Sequence, residues 1–235
     1  MNVNEHNLLS TDIKWHLFQE NYLLEKDAVH VLCAEVDSLF TTIESSYGTI
    51  LSIEEQQRAD RFQLIADRKR SVCGRYLLRF ILGKVLSTAP SDIKFHYSNY
   101  RKPGVNGIEF NLSHSGNHIL LALNSARVGI DVEQINRNFN YESVLSTGFN
   151  EEEQEYVRHH SDPALAFYTL WSRKESIMKA SGEGLSDYME QIRSVKETVE
   201  WKGSFYQVKS FQIGKDYTVA LATSNHTAQI SFWKI

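Results

Sequence analysis

The residues best suited to chemistry fall in four short stretches of the chain. The first is Gly129-Ile130-Asp131-Val132-Glu133. Strand side chains alternate faces, so Asp131 and Glu133 share one face and Ile130 and Val132 the other. Two carboxylates about 4–5 Å apart repel by about 3–4 kcal/mol at an effective dielectric near 20. A hard divalent cation such as Mg²⁺ offsets that repulsion through oxygen ligands. The plain alternative is a strand edge with solvated acids. The second stretch runs from Trp171 through Glu175 and Lys179 to Gly182, Gly184 and Leu185. On a helix, Trp171, Glu175 and Lys179 succeed one another at i, i+4 on one face. Taken alone, that face reads as an ordinary salt bridge beside a core tryptophan. The Gly-x-Gly after it suits a helix C-cap and close backbone approach. The third stretch, Phe110-Asn111-Leu112-Ser113-His114-Ser115-Gly116, reads as a polar turn ending a short strand. Its hydroxyl, imidazole and backbone N–H groups suit an anion, or cap local backbone. The fourth is basic: Arg58, Arg61, Arg68, Lys69, Arg70, Arg75, Arg101 and Lys102. It is either a solvated face or the place where a phosphate is received.

These stretches need elements to hold them, and an internal repeat supplies the plan. At an offset of 98, the segment from Leu51 lies over the segment from Phe149. Glu54-Glu55-Gln56 then falls on Glu152-Glu153-Gln154, Arg75 on Arg173, and Leu121-Ala122-Leu123 on Val219-Ala220-Leu221. The chain reads as two copies of one unit. Each opens on a short helix N-capped by Ser52 or Asn150. A longer helix follows, over about 66–86 and about 163–181. In the first, Val72, Tyr76, Phe80 and Val85 form the expected apolar stripe. Strands are expected at 28–33, 93–97, 109–111, 118–124, 128–133, 204–212, 217–223 and 227–234. The residues around Ser125-Ala126-Arg127 form a tight junction. The fold class is α+β in two layers, a pseudo-two-fold pair of halves, each a long helix on a small, mainly antiparallel sheet. The halves are expected at 1–127 and 128–235.

Composition narrows the function. A hydrophobic fraction of 42% in 235 residues supplies a full core without staples. The formal net charge of -4 offers no global basic field, so nucleic acid is not an expected partner. Cys33 and Cys73 both sit in apolar stretches and read as free buried thiols. No run reaches the ~18–20 apolar residues of a membrane helix. The first residues lack the basic-then-apolar pattern of a secretion signal. The expectation is a cytoplasmic protein that meets no membrane.

In order, the chain presents a basic helix start, K-P at Lys102, F-N-x-S-H-S, G-I-D-x-E, and W-x-x-K-E-x-x-x-K-x-x-G-x-G-L. Together these closely resemble the Sfp-type 4′-phosphopantetheinyl transferases, the surfactin-synthetase-activator class. The likeness spans about 51–185. It implies a monomer of two similar halves with coenzyme A and Mg²⁺ (Mn²⁺ as a substitute) in the cleft between them. It implies that Asp131, Glu133 and Glu175 bind the metal. It assigns Lys179 to the pyrophosphate, Ser113 and His114 to the pyrophosphate and 3′-phosphate, Arg70 and Ser71 to the adenine nucleotide, and Lys102 to the nucleotide or a phosphate. Arg58 matches a base for the 3′-phosphate. Glu175, Lys179, Asp131 and His114 are then the catalytic set. Where the family's prototype carries another lysine, this chain has Glu55, so the 3′-phosphate clamp is expected to be weaker, or to be supplied by Arg61 or Arg68.

The implied reaction converts an apo carrier protein to its holo form and releases adenosine 3′,5′-bisphosphate. Glu175 takes the proton of the carrier serine, directly or through water. The implied partner is an acidic acyl or peptidyl carrier protein of fatty acid, polyketide or nonribosomal peptide synthesis. Its dock is expected on 148–166, through Phe149, Tyr156 and Val157. The alternative is an inactive homologue that only binds coenzyme A or a nucleotide.

Overall fold

The computed structural model describes residues 8–19, 25, 27–98, 100–182 and 189–235. In chain order the elements are β1 (Trp15–Leu17), β2 (Val29–Glu35), α1 (Val36–Ile43), α2 (Ile53–Asp60) and α3 (Ile65–Leu86). Then come β3 (His96–Tyr97), β4 (Pro103–Gly104), β5 (Glu109–Ser115), β6 (His118–Asn124) and β7 (Val128–Gln134). The rest are α4 (Glu142–Gly148), α5 (Glu151–His159), α6 (Pro163–Ser181), β8 (Thr198–Trp201), β9 (Ser204–Ile213), β10 (Tyr217–Thr223) and β11 (Ile230–Lys234).

The chain forms two compact units, each an α+β structure. One takes 14–125 together with 228–235; the other takes 126–227 together with the described part of 1–13. The main junction therefore lies within the expected Ser125–Arg127 segment. A plain cut into 1–127 and 128–235 misses the exchange of terminal segments. β11 enters the first unit's sheet, whose order is β1-β11-β2-β6-β5. Leu9 bridges to Ser210 in the second unit. The second unit's sheet runs β7-β10-β9-β8.

The repeat is physical. In the first unit β6 lies antiparallel between β2 and β5, and in the second β10 lies antiparallel between β7 and β9. The short helices begin in the same way. Ser52 accepts from the Glu55 N–H while Glu55 accepts from the Ser52 N–H, and Asn150 and Glu153 do the same. These reciprocal boxes satisfy helix N–H groups that would otherwise lack partners. They sit 98 residues apart, as the repeat requires.

Each long helix then covers its sheet. α3 buries Val72, Cys73, Leu77, Leu78, Ile81 and Leu82. Of the expected stripe only Val72 is fully inside; Tyr76, Phe80 and Val85 flank the core. The buried face is broader than a single i, i+4 row because sheet, α1 and α2 all press on it. The core under it includes Leu32, Ile119, Leu121 and Phe110. α6 packs on β7 and β10. It can lie so close because position 129 has no side chain: a Cβ on Gly129 would fall 2.1 Å from the Ser176 carbonyl oxygen and 2.4 Å from the Ala180 nitrogen.

Three local expectations change. The strand expected at 93–97 shrinks to His96–Tyr97, because Pro90–Asp92 forms a 3₁₀ turn and Ile93 turns into the core. The polar turn at Ser113–His114 is strand: Ser113 pairs with Leu120, His114 with Ile119 and Ser115 with His118. The turn itself is Gly116-Asn117, where Gly116 adopts φ +52°. The proposed dock also moves inward. Phe149 and Val157 are buried in the cluster with Leu145, Ala166, Phe167 and Leu170, and Tyr156 packs against it. Among the described residues, no helix is long and apolar enough to cross a membrane.

Candidate active site

The acidic residues expected to work together lie in the second unit. Asp131 and Glu133 leave β7 on one face, as strand alternation dictates. Asp131 is only 3% exposed. Lys179 of α6 donates to its Oδ1 at 2.6 Å. Glu175 stands one helical turn before Lys179. Burial holds the Glu175 carboxyl above its usual range, the charge of Asp131 raises it further, and Lys179 lowers it. Tyr168, two turns before Glu175, has a phenol raised by burial and by the charge of Glu133. One face of α6 thus meets the acidic face of β7. The ordinary Glu175–Lys179 salt bridge suggested by helix spacing gives way to a bond from Lys179 to the strand.

The donor set can be tested for a cation. Among the described residues, no three acidic, histidine or cysteine side chains form a ready-made metal cluster. The chemistry of the set nonetheless suits a hard divalent ion. Asp131, Glu133 and Glu175 offer carboxylate oxygens, and a cation opposes both the burial and the Asp131 charge that raise Glu175.

Buried ionic links fix the helix carrying these groups. Glu153, with no exposed side-chain area, meets Lys174 Nζ at 2.7 Å, and Lys174 is equally enclosed. Lys174 also donates to the carbonyls of Met189 and Ile192 at 2.8 and 2.6 Å. Glu153 accepts from the N–H and hydroxyl of Ser194 at 2.7 and 2.6 Å. Arg173 donates to the Ser194 and Lys196 carbonyls and, at 2.8 Å, to Ser210 Oγ. These contacts bind α5, α6 and the 189–196 segment into one block. None of this was read from the sequence. The signal was there: the repeat laid Glu153 on Glu55, and a capping glutamate facing a basic long helix is what both units use. At the end of α6, Gly182 takes φ +83° as a left-handed C-cap. Gly184 and Leu185 lie outside the described residues.

The phosphate-binding candidates gather in the first unit. A groove of about 390 Å³ is lined by Arg58, Arg70, Ser71, Arg75, Lys102 and His114, with Glu54, Glu55 and Asp67 also on its wall and Phe62, Tyr97 and Phe110 among its apolar residues. His114 and Phe110 reach it from the same face of β5. Ser113 leaves the strand on the opposite face and is not among the lining residues. Arg70 donates to the Gly116 carbonyl at 3.1 Å and pairs with Asp67. The wider basic stretch is largely neutralised: Arg68 meets Asp60 at 3.0 Å and Lys69 meets Asp37 at 2.7 Å. Neither Arg61 nor Arg68 lines the groove, so neither completes the clamp there. Glu55 is a structural acid. Its Oε2 receives Arg79 Nε at 2.7 Å and the Ser52 N–H at 2.9 Å.

Comparison with known proteins agrees with this division. A family profile described as 4′-phosphopantetheinyl transferase, N-terminal, matches residues 44–126. One described as 4′-phosphopantetheinyl transferase superfamily matches residues 127–230. The 4′-phosphopantetheinyl transferase HetI of Nostoc sp. is 35% identical over 175 residues, 71% of this chain and 73% of that protein. The 4′-phosphopantetheinyl transferase Sfp of Bacillus subtilis is 30% identical over 150 residues, 60% of this chain and 64% of that protein. The 4′-phosphopantetheinyl transferase psf-1 of Bacillus pumilus is 34% identical over 143 residues, 58% and 60% respectively. The matched spans thus cover just under two thirds of the two Bacillus proteins. With an acidic strand facing a lysine-bearing helix in one unit and an arginine-lined groove in the other, the chain belongs to the 4′-phosphopantetheinyl transferase superfamily and is of the Sfp-like type.

Proposed function

We propose that this chain moves the 4′-phosphopantetheinyl group of coenzyme A onto a serine hydroxyl of an acyl or peptidyl carrier protein. The observation that carries the reading is the 2.6 Å bond from Lys179 to Asp131, beside a Glu175 raised by burial and by that same aspartate. A base, a cation and further acids held together on β7 and α6 are the equipment a diphosphate requires. Phosphoryl transfer is catalysed chiefly by positioning and by neutralising oxygen charge.

In this reading Arg58, Arg70, Ser71, Lys102 and His114 receive the nucleotide and its phosphates. Ser113 offers its hydroxyl to the pyrophosphate from the other face of β5. Asp131, Glu133 and Glu175 hold Mg²⁺, or Mn²⁺ in its place, which when bound neutralises charge on the diphosphate. The Lys179 ammonium, which meets Asp131, is the cation offered to a pyrophosphate oxygen. Glu175 accepts the serine proton. The serine oxygen bonds to the pantetheine-bearing phosphorus as the bond to the bridging oxygen breaks. The electron pair departs on adenosine 3′,5′-bisphosphate, stabilised by Lys179.

The test is a panel of unmodified carrier proteins incubated with the chain, coenzyme A and Mg²⁺. The reading requires adenosine 3′,5′-bisphosphate to appear only when a carrier is present. Release that ignores the carrier, or no release with any of them, refutes it.

A further inference from the structure

Two cations that line the groove, Arg58 and Arg75, donate no side-chain hydrogen bond among the described residues. Arg58 is exposed on α2, where water serves it. Arg75 is different: its side chain is about four-fifths enclosed, and its Nη1 is shut off from water without a hydrogen-bond acceptor. Its nearest acid cannot satisfy it. Glu55 Oε1 stands 3.9 Å from Arg75 Nη1, beyond hydrogen-bond range, while Glu55 Oε2 is committed to Arg79 and Ser52. The Phe95 ring, 5.5 Å from the guanidinium carbon, holds the arginine in place without accepting a strong bond. A guanidinium enclosed beside a groove and short of acceptors is a donor awaiting an anion.

We propose that Arg75 binds the 3′-phosphate of coenzyme A together with Arg58. The proposal rests on the reading of the groove as the nucleotide site. Arg75 stands on α3, one turn after Ser71, on the wall of the same groove. An arginine there presents a planar fork to phosphate, which a lysine does not.

The experiment measures, by calorimetry on the full chain, the Kd of adenosine 3′,5′-bisphosphate and of adenosine 5′-monophosphate. Arg75→Met weakens the bisphosphate by at least about tenfold, while the monophosphate changes by less than about twofold. Arg75→Lys recovers part of the loss. Equal weakening of both ligands, or of neither, overturns the assignment. If Arg75→Met does not fold, Arg75→Gln, which keeps a polar head without the charge, decides by the same two Kd values: a selective loss of the bisphosphate is expected, and an equal change in both ligands overturns the assignment. Wild-type protein that binds neither nucleotide refutes the groove reading itself. Wild-type binding with an unchanged ratio in Arg75→Met refutes only the role of Arg75.

Discussion

Glu175 sits where burial and a neighbouring aspartate both resist its ionisation, and Lys179 is the charge that opposes them. Removing either acid therefore removes function before it removes structure. Asp131→Ala or Glu175→Gln is expected to slow transfer at least ~100-fold while circular dichroism stays native. Near-normal turnover in either variant contradicts the assignment. Glu153 and Lys174 answer differently, because both are fully enclosed. Lys174→Met leaves a buried carboxylate uncompensated and is expected to cost about 3–5 kcal/mol, read as a lower urea midpoint. A loss under about 1 kcal/mol would show that the pair is solvated. At this scale the sequence was legible wherever chemistry follows from spacing: D-x-E put Asp131 and Glu133 on one face. It was illegible where a partner comes from afar. Helix spacing offered Glu175 to Lys179, and only the strand packed against α6 supplies Asp131.

Between elements, the contact that sets the acidic face against the helix is made by an absent side chain. Gly129→Ala puts a methyl carbon into the backbone of α6 at Ser176 and Ala180. Flexible ends cannot move aside there, so the expected cost is about 3 kcal/mol or more, with transfer lost along with it. An unchanged melting temperature would mean that α6 stands further from β7. In the first unit, β2 and β11 share a different link. Trp233 Nε1 donates to His30 Nδ1 at 3.1 Å, and His30 Nε2 lies 2.8 Å from the Glu25 carbonyl oxygen. That arrangement needs a neutral ring. Burial holds the His30 imidazole below its usual range, against the opposing pull of Glu25, and burial lowers His118 likewise. The unfolded chain therefore takes up more protons as pH falls below about 6.5. This stability is intact above that pH and is lost on descent toward the folded value. The melting temperature should fall between about pH 7.5 and 5.5, and fall less in His30→Leu; an equal fall in both would remove His30 from the account. Strand boundaries here were only partly legible. The polar letters of Ser113–His114–Ser115 look like a turn, yet β6 supplies a full ladder of partners and the reversal waits for Gly116.

For the molecule as a whole, the repeat was the most legible feature, since two units with the same caps and the same three-strand antiparallel arrangement keep one offset. The exchange of terminal segments was hidden, because parallel pairing of β11 with β1 and β2 joins residues more than 200 positions apart and leaves no local pattern. The carrier contact is likewise unmarked: the apolar residues of 148–166 serve the core, and a net charge of -4 gives no overall attraction to an acidic partner. What the whole chain is proposed to do can still be read in one measurement. The intact mass of an apo carrier protein is recorded before and after incubation with the chain, coenzyme A and Mg²⁺, with chelator as the control. The account predicts that the carrier gains one phosphopantetheine on its serine and that chelator abolishes the gain. Coenzyme A consumed while the carrier's mass stays the same would contradict it.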